Sequence, residues 1–237
     1  MRYFVKSAAI AAMLLAPDAS QAVVIISDST FNNGDWAASL IPTVPSGSSL
    51  SFSAVQQGSG GNPDSFRTIQ HSWTGPGGII AGHRFTGAGY NPSIQGAITD
   101  LDFSLDGIHI DFSGSGVSPG AIAFGALVSQ NGNTFIAGFG IALQNGGWTS
   151  LAFNDLTAAS ISSSLDFSSA GGLIEFGYYT SNGSAFSGTH VTNGGVDNWQ
   201  VTINQAPLVA PGVPEPMTLS LLGAGLLVLG AMRRKRD

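Results

Sequence analysis

The chain has no cysteine, only two glutamates, and few charges of either sign. Without Cys there is no disulfide, iron–sulfur cluster, Cys-ligated zinc or thiol nucleophile, so an exported form must be held by its core alone. Charged residues are 9% of the 237 positions, against about 25% in an ordinary globular domain. Of the eight basic residues, Arg2 and Lys6 open the chain and Arg233, Arg234, Lys235 and Arg236 close it, which leaves Arg67 and Arg84 between. Residues 23–212 hold eleven acids against those two bases. A basic nucleic-acid groove is thereby excluded, and nucleic acid is not a partner. Disorder is excluded too, because it takes low hydrophobicity and hydrophobic residues are 43% here.

Both ends read as addresses. Residues 1–22 have a basic start, an apolar run and the small-x-small site Ser20-Gln21-Ala22, which is the pattern of a signal peptide cleaved between Ala22 and Val23. At the other end the sixteen residues from Met217 to Met232 carry no charge and precede the basic tail. As a helix they span about 24 Å, slightly less than a bilayer core. The expectation is a transmembrane helix over 217–232, with the membrane as a partner and residues 23–212 exported to its far side by the positive-inside rule.

Pro214-Glu215-Pro216, the apolar segment and the basic tail together resemble the PEP-CTERM sorting signal of Gram-negative bacteria. The resemblance covers about the last 25 residues. It implies an exosortase, a membrane transpeptidase, as partner, cleavage near the motif, and a mature protein at the cell surface or in a biofilm matrix. Two prolines flanking Glu215 suit a protease-read site, because they hold the backbone extended and unpaired.

Between the ends no long stretch has helical periodicity, while short alternating runs recur between Gly, Asn, Asp and Ser. Asp106-Gly107, between Leu101/Phe103/Leu105 and Ile108/Ile110/Phe112, reads as a hairpin turn. Asn131-Gly132, Asn145-Gly146, Asn182-Gly183 and Asn193-Gly194 read as further turns. About a dozen strands so spaced predict an all-β fold, an antiparallel two-sheet β-sandwich or jelly roll. The expected organisation is signal peptide 1–22, sandwich 23–205, linker 206–213 and sorting signal 214–237.

Gly60-Gly61-Asn62-Pro63, Tyr90-Asn91-Pro92, Phe176-Gly177-Tyr178-Tyr179 and Val196-Asp197-Asn198-Trp199 resemble pieces of concanavalin A-like (lectin/glucanase, laminin-G-like) jelly rolls. That resemblance implies a carbohydrate-binding sandwich. The residues themselves give Trp199 a core position in the closing strand.

Hydrolysis has no machinery in the sequence. A retaining sandwich glycosidase needs paired carboxylates, and the glutamates are only Glu175 and Glu215. Gly116-Val117-Ser118-Pro119-Gly120 has the spacing of a serine nucleophile elbow but continues into a strand-like run instead of a helix. The four histidines are scattered singly. The chain is therefore read as no enzyme, with no catalytic residue.

Alternation places Asp100, Asp102 and Asp106 on one strand face. The plain reading is a solvated face; the sharper one is a Ca²⁺ site completed from other loops, because Ca²⁺ takes six to eight oxygens. For sugar, the candidates are Trp73, Trp148, Tyr178 and Tyr179, since pyranose rings stack on flat aromatic faces, and the two adjacent tyrosines must point to opposite sides of their strand. Two functions stand at this point: a module that binds polysaccharide weakly, and a structural envelope or matrix protein without a discrete ligand.

Overall fold

A computed structural model describes residues 23–42, 48–114 and 121–206. The strands are β1 (Val23–Asp28), β2 (Trp36–Ile41), β3 (Ser48–Gly61), β4 (Asp64–Thr74), β5 (Gly77–Tyr90), β6 (Ile98–Gly114), β7 (Ala121–Gln130), β8 (Asn133–Leu143), β9 (Thr149–Leu156), β10 (Ile174–Ser184) and β11 (Thr189–Gln205). They form two antiparallel sheets. The six-stranded sheet runs β3-β4-β11-β6-β9, with β1 also paired to β11, and the five-stranded sheet runs β2-β5-β10-β7-β8. This is the expected all-β, jelly-roll-like sandwich.

Period-2 alternation builds the core. Leu101, Phe103 and Leu105 of β6 face Phe124, Ala126 and Val128 of β7 and Phe176 and Tyr178 of β10 across the sheet interface, all in one buried cluster. Trp199 sits in the core as expected, its ring 5.1 Å from Trp36 and 5.4 Å from Phe85.

Part of the interior is polar and ordered. Asn182 Nδ2 donates to the Ala121 carbonyl at 2.9 Å, which turns Asn182 Oδ1 toward His71 Nδ1 at 2.8 Å and places a proton on that nitrogen. His71 Nε2 then accepts from the Thr180 hydroxyl at 3.0 Å, and the Thr180 oxygen accepts from His83 Nε2 at 3.2 Å. Burial lowers the His71 pKa to about 4. Burial, then the Arg67 charge and then His71 hold His83 well below its usual value.

The structure corrects several turn assignments. Asp106-Gly107 is no turn: β6 runs unbroken through it. A Cβ at Gly107 would lie 2.7 Å from Phe124 Cε2, so the glycine serves close sheet-to-sheet approach. Asn182-Gly183 and Asn193-Gly194 likewise lie inside β10 and β11, whereas Asn131-Gly132 does turn β7 into β8.

The transmembrane expectation is corrected as well. No helix among the described residues is long and apolar enough to cross a membrane. The two α-helices, α1 (Pro92–Gln95) and α2 (Ala158–Ile161), have four residues each, about 6 Å of rise against a bilayer core of about 30 Å. Segment 217–232 lies outside the described residues, as do Pro214, Glu215, Pro216 and the signal segment ending at Ala22; Val23 opens β1. Among the described residues the fold class is thus the two-sheet sandwich alone. The membrane partner, and the localisation so far as it took residues 217–232 as a membrane-spanning helix, are corrected with it, and the exosortase partner has no finding behind it.

Candidate ligand-binding face

The four predicted aromatic residues do not share a surface. Trp73 and Tyr178 are fully buried. Trp73 points inward from β4 onto the His190 ring at 5.1 Å, and Tyr178 stacks on His83 at 4.7 Å. Trp148 is half-buried and packs edge-on against Phe66 at 5.4 Å. Tyr179 points away from Tyr178, as strand geometry requires, yet it is only 6% exposed. Its hydroxyl donates to the Gly138 carbonyl at 2.7 Å, and burial raises its pKa. Stacking of a sugar on Trp73, Tyr178 or Tyr179 is corrected on this ground: their faces are already covered.

The side of the five-stranded sheet that faces away from the core holds two open concavities, and a third, of about 180 Å³, is lined by Ser27, Asp28, Asn198 and Gln200, among others, on β1 and β11 of the other sheet. The outer positions of the five-stranded sheet alternate with the core residues of β7 and β10, giving Ala121, Ala123, Gly125, Leu127 and Ser129 on one strand and Glu175, Gly177, Tyr179, Ser181 and Gly183 on the next. At one end a groove of about 230 Å³ is lined by Ser39, Gly82, Arg84, Leu127, Ser129 and Thr134, among others. Arg84 is ion-paired to Glu175, both partly exposed. Its guanidinium presents further N–H donors in a fixed plane.

At the other end a second concavity of about 230 Å³ is lined by Ala121, Ala123, Phe139, Ile141, Ser181, Asn182 and Gly183. Phe139 is 71% exposed, and Ile141 and Leu143 follow it along the edge strand. Leu127 and Ala121 are six residues apart on β7, so the grooves lie about 20 Å apart along one face. Phe139 was missed by sequence reasoning, because strict alternation along β8 assigns it to the core side with Phe135.

The acidic residues separate into two groups on the other sheet. Asp100 and Asp102 lie on the outer side of β6 as expected, and Asp155, not Asp106, completes their cluster, with carboxylate oxygens within 4.8 Å of one another. Asn204 Nδ2 donates to Asp102 Oδ2 at 3.0 Å, and the Asp155 N–H donates to Asp102 Oδ1 at 2.8 Å. Three carboxylates supply part of the oxygen set that Ca²⁺ takes.

Asp106 is buried instead in a network that joins the Asn62 and Asp197-Asn198 segments. Its carboxylate accepts from Ser150 Oγ, from Asn62 Nδ2 at 3.2 Å and from Asn198 Nδ2 at 2.8 Å. Asp197 accepts from the Asn62 and Asn198 backbone N–H groups. Burial raises the Asp197 pKa against the opposing effect of those hydrogen bonds. Two segments singled out in the sequence, Asn62 and Asp197-Asn198, thus meet through these hydrogen bonds.

No protein-family model matches the chain, and no curated protein matches it in sequence. Solved structures are similar. A family 11 carbohydrate-binding module from Clostridium thermocellum, in complex with a β-1,3-1,4-mixed-linked tetrasaccharide, is 14% identical over 77% of this chain and 96% of its own, with TM-score 0.42. A xylan-binding domain from Paenibacillus barcinonensis is 10% identical over 79% of this chain and 99% of its own, with TM-score 0.40. A carbohydrate-binding module of specific mannan recognition is 9% identical over 77% and 98%, with TM-score 0.35. Likeness at this level transfers neither residues nor ligands, and the site stands on its own geometry.

Proposed function

We propose that the sandwich is a polysaccharide-binding module that holds a neutral glycan along the outer face of its five-stranded sheet, without cleaving it. The observation that carries this is Phe139, a phenyl ring 71% exposed beside Ala121, Ala123, Ser181 and Gly183, with Ile141 next to it on the edge strand. A pyranose has an apolar C–H face and a rim of hydroxyls. Phe139 supplies the stacking surface, while Ser181, Ser39, Thr134 and the Arg84–Glu175 pair supply donors and acceptors.

Charge argues for a neutral ligand. Arg67 is buried and Arg84 is paired, so among the described residues no cation is left over to draw a uronate or sulfate toward a strongly acidic domain. Each stacking or hydrogen-bond contact contributes only about 0.5–1.5 kcal/mol net. Affinity per site is then weak, and retention on a polymer comes from many sites.

Native gels cast with mixed-linked β-glucan, xylan or mannan test the reading. At least one should retard the protein, and Phe139→Ala should abolish the retardation without releasing reducing ends in either case. If no neutral polysaccharide retards the wild type, the ligand-free structural protein is the better account.

A further inference from the structure

The exposure of Phe139 is itself a built feature. Along β8, Phe135 pairs with Val128 and Ala137 pairs with Ala126, both partners facing the core. Continued alternation would send Phe139 inward. Instead the β7–β8 register shifts between Phe124 and Ala126, so that Gly138 and Phe139 together stand opposite Gly125. Gly138 has φ +71°, a conformation that favours glycine. Beyond it the strand resumes its inward side, with Ala142 fully buried. This is a β-bulge, and its one extra residue turns Phe139 from the core to the ligand face.

A bulge at an edge strand leaves backbone groups outside the ladder. Here the Gly138 carbonyl is taken by the Tyr179 hydroxyl at 2.7 Å. The ring reaches it by lying across Gly125, its cross-strand partner on β7. A Cβ at Gly125 would stand 2.1 Å from Tyr179 Cε1 and 2.8 Å from the Ala137 carbonyl, so the tyrosine ring occupies the space of the missing side chain.

We propose that Tyr179, seated on Gly125, is a positioning residue: its hydroxyl holds the Gly138 bulge in the form that presents Phe139 to the ligand. The ligand part of this statement rests on the polysaccharide reading; the positioning part does not. Tyr179 then serves the site without touching the sugar, in contrast to the direct stacking that its sequence suggests.

The test uses Phe139→Trp as a reporter in the full chain, with acrylamide quenching as the readout. Trp36, Trp73 and Trp199 are buried and Trp148 is half-buried, so the added quenching reports position 139. Tyr179→Phe, which removes only the hydroxyl, should lower that added quenching and shift the added emission to the blue. In the otherwise unaltered protein it should weaken polysaccharide binding about fivefold to tenfold, the worth of one hydrogen bond. Gly125→Ala should act in the same direction by displacing the ring. Unchanged quenching in a folded Tyr179→Phe protein overturns the proposal, whatever the protein binds. Reduced quenching in a protein that binds no polysaccharide upholds the bulge lock and overturns the glycan reading instead.

Discussion

Mild acid should destabilise this protein through its interior histidines. His71 is fully buried and neutral, with Nδ1 donating to Asn182 and Nε2 accepting from Thr180. Its pKa is lowered to about 4, from 6.5 when unfolded. A depressed histidine pKa means that the unfolded chain binds the proton first. The stability that neutral His71 confers is therefore complete above about pH 6.5 and is lost as pH falls toward 4. At about 1.36 kcal/mol per pKa unit, the full loss is about 3 kcal/mol, of which about 2 kcal/mol is gone by pH 5. His83 shifts in the same direction and adds to it. Asp197, whose pKa is raised by burial, works the other way, since its protonated form is favoured in the fold. With an m-value of about 2 kcal/mol/M, the urea midpoint should drop by about 1 M between pH 7.5 and pH 5. His71→Gln should remove much of that pH dependence. Equal midpoints at the two pH values would refute the neutral, proton-ordered chain from Asn182 to His83.

Gly107→Ala should cost about 1–3 kcal/mol in urea denaturation, the usual range for overpacking, since the added methyl would stand 2.7 Å from Phe124 Cε2; an unchanged midpoint would refute the close approach of the sheets there. Polysaccharide retention should be the same in EDTA as in Ca²⁺, because Asp100, Asp102 and Asp155 lie on the six-stranded sheet and Phe139 on the other; loss of retention in EDTA would move the ligand to the acidic cluster. Tyr178→Ala should damage stability by about 3–5 kcal/mol through the core it fills beside Trp36 and His83, as read by thermal unfolding.

Alternation made most strands legible in the sequence, because one face of each sheet is buried and the side-chain period is fixed at 2. It also placed Trp199 in the core and set Tyr178 and Tyr179 on opposite sides. What it missed lies where the period is broken or the turn chemistry is used otherwise. Asp106-Gly107 carries the residues of a hairpin turn, but the glycine is there for Phe124 and the aspartate for Asn62, Ser150 and Asn198. β2 carries no alternation signal in the sequence, because most of Trp36–Ile41 lies exposed at a sheet edge, without an alternating apolar face. The aromatic candidates were chosen by residue type, and type does not report which face of a strand is covered. Phe139 escaped because one extra residue at Gly138 inverts the phase; a glycine between two apolar residues of one strand is the only local sign of it.

Amide chemical-shift mapping with a neutral oligosaccharide that competes for the polymer tests the central claim most directly. Perturbations should gather on the outer face of the five-stranded sheet, at Phe139, Ile141 and Ser181 and onward to Ser129 and Thr134, and should vanish in Phe139→Ala. Perturbations confined to the six-stranded sheet, around Asp102 or the Asn62–Asn198 network, would contradict it.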